Sequence, residues 1–137
     1  MLASERPNAT STVLEIDGYK GVEVTILVID DEREFADCRE VIYCRTAHEA
    51  MKLLNANTPL EQLWLDHDLG EPDECGYTDV SPIVNFLLER AVWDNPYPVS
   101  KILVHTANVP AAKRLLGLGR YYPTIRVDAV SSGLIKP

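Results

Sequence analysis

Val24-Thr25-Ile26-Leu27-Val28-Ile29-Asp30-Asp31-Glu32-Arg33 is the stretch on which the fold turns. A near-continuous run of β-branched and aliphatic residues reads as a strand covered on both faces, as in a parallel sheet. The run then breaks abruptly into charged residues. Carboxylates at that point lie beyond the carboxyl end of a strand, where an open parallel sheet binds its ligands.

Working outward, Val41-Ile42-Tyr43-Cys44-Arg45 reads as a second strand. Thr46 can cap the helix after it, with Glu49 as its capping-box partner, and Ala47, Ala50, Met51 and Leu54 follow helical spacing. Leu63-Trp64-Leu65 is a third strand, ending at Asp66-His67-Asp68-Leu69-Gly70. A loop rich in Gly, Asp and Pro follows, from Glu71 to Asp79. Ser81 as cap and Pro82 at the first helical position open the next helix, which carries Ile83, Phe86, Leu87 and Ala91 on one face. Lys101 to Val104 is a fourth strand, ending at His105-Thr106-Ala107-Asn108. Pro110 to Leu116 is a short helix, and Thr124 to Val127 a fifth strand.

Alternating strands and helices predict an α/β fold of three layers: a flavodoxin- or receiver-like parallel sheet of five strands in the order 2-1-3-4-5. Residues 32–40 leave room for only a shortened first helix, so an apolar strip on that face could await a protein partner or a second copy of the chain. On the amino-terminal side, residues 1–11 read as a loose polar tail. Asp17-Gly18 between β-prone stretches reads as the turn of an added N-terminal β-hairpin. Residues 12–137 then form a single domain.

Composition narrows the function. The 137 residues are 46% hydrophobic and 25% charged, ordinary for one globular domain. With 21 acidic against 13 basic residues the net charge is −8, a field that repels a DNA backbone. A small anionic ligand would need a metal or a local cluster of donors. Cys38, Cys44 and Cys75 form no CxxC pair, so they read as idle thiols rather than as a disulfide framework or a zinc site. No apolar run is long enough for a signal or a membrane span, which points to a cytoplasmic protein with no membrane partner.

The chemistry collects at three strand ends: Asp30-Asp31-Glu32-Arg33, Asp66-His67-Asp68 and His105-Thr106-Ala107-Asn108. In the expected strand order these face one crevice. Like charges ~4 Å apart cost about 4 kcal/mol at an effective dielectric near 20, so such a cluster calls for a cation or for protonation. Oxygen ligands suit Mg²⁺ or Mn²⁺, and an imidazole widens the choice toward Fe²⁺ or Zn²⁺. Asp31 and Asp66 could hold the ion with Asp30 or Asp68 in support. His105 or His67 could move a proton. Thr106, Asn108 and backbone amides could meet phosphate, and Gly70 and Gly76 would let the loop approach it closely. Asp30-Asp31 as a solvated helix start, His105 as a core residue, His48 on a helix surface, and Arg33 and Arg45 as solvated ion pairs are the competing structural roles. Arg33 and Arg45 could instead hold a phosphate.

The order of these motifs resembles the response-regulator receiver domain over residues 24–130. That resemblance implies Mg²⁺ on Asp30 and Asp31, a phosphoryl acceptor at Asp66 and the hydroxyl of Thr106 beside it. A lysine expected after the fifth strand is missing from Arg126-Val127-Asp128-Ala129, and Lys136-Pro137 comes several residues too late. His67, Asp68 and His105 are further departures. They point to a narrower match. Asp30-Asp31-Glu32-Arg33, Arg45-Thr46, Asp66-His67-Asp68-Leu69-Gly70-Glu71, Gly76-Tyr77 and His105-Thr106-Ala107-Asn108 are similar, in order and spacing, to the cyclic-phosphate-processing receiver-like family (cREC). Val109 between Asn108 and Pro110, and Thr78 between Tyr77 and Asp79, are small departures from its pattern. The resemblance implies processing of cyclic or linear nucleotide phosphates, and the chemistry of the site makes that metal-dependent hydrolysis of nucleotide-type cyclic phosphates. A receiver or pseudo-receiver switch without turnover, with Asp66 attacking phosphorus itself in the phosphorylated case, is the alternative. A module that only binds a nucleotide or a partner protein is the third reading.

Overall fold

The computed structural model describes residues 25–37, 39–127 and 133–135. The expected tail, the N-terminal hairpin, Cys38, Asp128 and Lys136 lie outside the described residues. Strands β1 (Ile26–Ile29), β3 (Ile42–Cys44), β4 (Leu60–Leu65) and β5 (Val99–Val104) form a parallel sheet in the order β3-β1-β4-β5. The two-residue β6 (Arg126–Val127) pairs parallel to the outer edge of β5. This is the parallel α/β architecture that the alternating pattern predicts.

The sheet's two faces are packed differently. Leu27 and Ile29 of β1, Leu63 and Leu65 of β4, and Ile102 and Val104 of β5 point to one face. There they meet Ala50 and Leu54 of α1 (Ala47–Asn55), Ile83 and Leu87 of α2 (Ser81–Val92), and Ala112 and Leu115 of α3 (Val109–Leu115). The alternate residues Ile26, Val28, Trp64 and Leu103 point to the other face and pack with Phe35 and Leu134. Among the described residues, all the helices therefore lie on one side. The expected three-layer sandwich with helices on both faces is corrected to this one-sided arrangement.

Among the described residues, the expected shortened first helix is absent as well. Residues 34–35 form β2 (Glu34–Phe35), which pairs antiparallel with β7 (Leu134–Ile135). Two forces oppose a helix there. Asp30 Oδ1 accepts the backbone N–H groups of Glu32 and Arg33, fixing a turn directly after β1. The Phe35 ring then packs edge-on against Trp64, with centroids 5.2 Å apart. Phe35 and Leu134 thus pack on that face of the sheet with Ile26, Val28 and Trp64.

The helix caps refine the sequence reading. Thr46 Oγ1 accepts the N–H of Glu49, but the Glu49 carboxylate takes the N–H of Arg45 instead of closing the box on Thr46. Ser81 is not the cap of α2. It is already helical, and its N–H is taken by Asp79 Oδ1 at 2.9 Å. Asn108 caps α3, its Oδ1 accepting from Ala111 N.

Candidate active site

The parallel register builds the site. Ile29 is paired with Leu65, and Leu65 with Val104. The next residue on each strand is therefore Asp30, Asp66 or His105, three neighbours at one level. The ladder continues through them: Asp66 N–H donates to Ile29 O and His105 N–H to Leu65 O. All three residues are buried, and a ligand atom from each lies within 4.8 Å of the others.

The partners of each group are specific. Asp30 Oδ2 faces His105 Nε2 at 2.9 Å and Arg33 Nη1 at 3.2 Å, while its Oδ1 holds the two backbone N–H groups of the turn. Burial opposes the charge on Asp30, but the hydrogen bonds from His105 and from those N–H groups outweigh it. Its carboxyl is held well below the usual carboxylate range. Asp66 goes the other way. Burial first, and then the charge of Asp30, push it up to about 6 against the pull of His105, the Thr106 hydroxyl and Arg33. The guanidinium of Arg33 reaches Asp66 Oδ2 only at 3.5 Å. A single hydrogen bond to a charged group is worth roughly 1.5–3 kcal/mol, less than the about 4 kcal/mol cost of a close like-charge pair. Arg33 alone cannot keep both carboxylates ionised. The row favours a proton or a cation at Asp66.

His105 Nδ1 is buried and has no hydrogen-bond partner among the described residues. Its ring lies 5.8 Å from that of Trp64. A bare lone pair at Nδ1 costs less than a stranded N–H, so the fitting tautomer carries its proton on Nε2 and donates it to Asp30. A metal-ligating histidine instead gives its second N–H to a partner. The two carboxylates fit a hard divalent cation; His105 fits as the group that holds Asp30.

Of the other expected site residues, only some reach the row. Among the described residues the candidate ligand group contains neither Asp31 nor Asp68. Asp31 lies against Gly70, where an added Cβ would come within 2.8 Å of Asp31 Oδ2. Gly70, at φ +77°, thus makes room for a carboxylate of its own chain. Burial, helped by the Glu32 and Asp30 charges, raises the Asp31 carboxyl. Gly76 makes no such close approach; its φ of +83° serves the turn alone. Asp68 is on the rim, bonded to His67 Nδ1 at 3.0 Å and to Asn108 Nδ2 at 3.2 Å. The His67 bond, against slight burial, lowers its carboxyl. His67 Nε2 is turned toward Asp79 at 3.9 Å. Thr106 stands between row and rim: its hydroxyl pulls the Asp66 carboxyl down, and its Oγ1 accepts Asn108 N–H. Arg33, expected on phosphate or in solvent, is on the two carboxylates.

Arg45, expected in an ion pair or on phosphate, makes the ion pair and reaches further than the sequence indicated. Its Nη1 donates to the carbonyl oxygens of Asp30 and Arg33, and its Nη2 pairs with Glu34. It follows Cys44, the register partner of Ile29, and so extends the row by one strand. That register was the signal available.

Comparison with known proteins agrees with this geometry. No curated protein and no solved structure matches the chain. A family model does match: residues 25–120 fit the cyclic-phosphate processing receiver domain, a span that runs from β1 past α3 and includes every residue of the row and its rim. With most of its length inside that match, the chain belongs to the cyclic-phosphate processing receiver domain family.

Proposed function

We propose that the chain hydrolyses a nucleotide-type cyclic phosphate with the help of a divalent cation, Mg²⁺ or Mn²⁺, at the Asp30–Asp66–His105 row. The carrying observation is the pair of buried carboxylates with opposed proton affinities, clasped by one arginine. The family's description supplies the cyclic phosphate. This reading takes the short β6 as the fifth strand of a receiver-type order and the hairpin as an addition to it.

Asp30 and Asp66 would hold the cation, and Asp31 and Asp68 would reach it only by leaving Gly70 and Asn108. There it would neutralise a phosphodiester oxygen and lower the pKa of bound water. Arg33, released from the carboxylates, is then free to meet phosphate, a planar donor suited to that anion. Opening the ring needs water to add at phosphorus, the bond to one ribose oxygen to break and a proton to reach that oxygen. With a cation on it Asp66 would be ionised, so the imidazole of His67 on the rim would be the group to hold or move that proton. Thr106 orients Asp66. His105 is a positioning residue that holds Asp30. Asn108 and His67 form the rim, where Asn108 can turn its amide to phosphate.

The test incubates the chain with Mg²⁺ or Mn²⁺ and a panel of ribose cyclic phosphates, cyclic mononucleotides and cyclic dinucleotides. Cation-dependent turnover, lost in Asp66→Asn, supports the reading. Stoichiometric labelling of Asp66 by acetyl phosphate without turnover would replace it with a switch, and saturable binding of an intact nucleotide with a binding module.

A further inference from the structure

We infer that Cys75 is a reactive thiol, set up by His48 and Glu74 to exchange with low-molecular-weight disulfides, outside the carboxylate row. Cys75 Sγ lies 3.2 Å from His48 Nδ1, and His48 Nε2 lies 3.0 Å from Glu74 Oε1. Thiol, imidazole and carboxylate follow one another as nucleophile, base and orienting group do in a covalent catalyst.

The arrangement is held by backbone. Asp73 Oδ1 accepts the N–H groups of Cys75 and Tyr77, at 2.9 and 3.0 Å. Gly76 N–H closes the same turn on Asp73 O at 2.8 Å, with a φ of +83°. Asp73 Oδ2 takes the N–H of His48 at 3.0 Å, which pins the turn to the first turn of α1. Cys75 therefore keeps its partner while remaining exposed. Cys44 is the internal contrast: burial pushes its thiol up to about 12, and no disulfide can reach it in the folded chain. A metal is the weaker reading, since among the described residues no third ligand joins Cys75 and His48.

The chemistry balances without an added oxidant beyond the disulfide itself. The thiol proton passes to His48 Nδ1, and Glu74 offsets the charge that appears on the ring. Sγ attacks one sulfur of the disulfide. A new S–S bond forms as the old one breaks, and the leaving thiolate takes up a proton.

A neutral pyridyl disulfide, whose released thione is coloured, tests this on the full chain at neutral pH, with peptide masses assigning each label. Cys75 is expected to react at least about tenfold faster in the folded chain than in the denatured one, and His48→Gln to remove about tenfold of that rate. Glu74→Gln, at an exposed position, should slow it less, and provides the test if His48→Gln fails to fold. Cys44 should stay unlabelled until the chain unfolds. Equal Cys75 rates in folded and denatured chains, or rates unmoved by these substitutions in variants with an unchanged thermal melt, overturn the proposal.

Discussion

Two acidic clusters stand side by side at the carboxyl ends of the strands, and they differ in their physics. The row of Asp30, Asp66 and His105 is buried, whereas on the rim a partly buried His67 meets an Asp68 whose side chain is 62% exposed. Both are built from aspartate and histidine. In the row, burial and hydrogen bonding drive the two carboxyls apart, one far down and one up; on the rim, a hydrogen bond to histidine only lowers Asp68. The motif Asp66-His67-Asp68 thus divides between two environments. The chain does this by leaving the strand: β4 ends at Leu65 and Asp68 pairs with Asp79 instead, so adjacency in sequence is not adjacency in the site.

The largest test of this contrast is Asp30→Ala. It strands His105 Nε2, Arg33 and two turn N–H groups, and removing one partner of a buried pair costs about 3–5 kcal/mol. Urea denaturation reads it. A loss below about 1 kcal/mol, the value of an exposed pair, would erase the distinction.

Next comes pH. The Asp66 carboxyl is raised from its ordinary value of 3.8 to about 6. Folding therefore favours its neutral form, so its contribution is fully present below 3.8 and lost as pH rises through about 6. Asp30 is lowered, so its contribution holds above 3.8 and is lost only as pH falls further. Between these windows the chain without added cation should lose about 3 kcal/mol as pH climbs from about 4 to about 7. Asp66→Asn should flatten that slope and Asp68→Asn should leave it, as followed by denaturation at each pH.

Arg33→Gln is a smaller perturbation. It removes one charged donor from both carboxylates and should cost about 1–3 kcal/mol, recovered on adding Mn²⁺. Recovery marks arginine and cation as alternatives at one place; a loss that Mn²⁺ does not restore counts against that. Asp68→Asn should be smallest, within about 1 kcal/mol by thermal melting.

Much of this site was legible in residues alone. Apolar runs that stop at Asp30, Asp66 and His105 announce strand ends, because a buried strand cannot carry a charge without a partner. Their in-phase register is not written in any one strand; it arises when the strands pair. The segment after Arg33 was misread as helical because Glu32 to Glu40 shows no period of its own. Its strand comes from Phe35 meeting Trp64 and from pairing with β7 near the far end of the chain, beyond the reach of any local pattern. Arg33 pointed inward for a similar reason: its partner Asp66 belongs to another strand. The contact of Cys75 with His48 likewise joins a loop to a helix that no motif connects.

The account's central claim is that the buried row, not the rim, holds the divalent cation. Calorimetric titration of Mn²⁺ into the parent chain, Asp66→Asn and Asp68→Asn tests it directly. One equivalent should bind to the parent and to Asp68→Asn, and binding should be lost in Asp66→Asn. Mn²⁺ binding that survives Asp66→Asn but disappears in Asp68→Asn would contradict it.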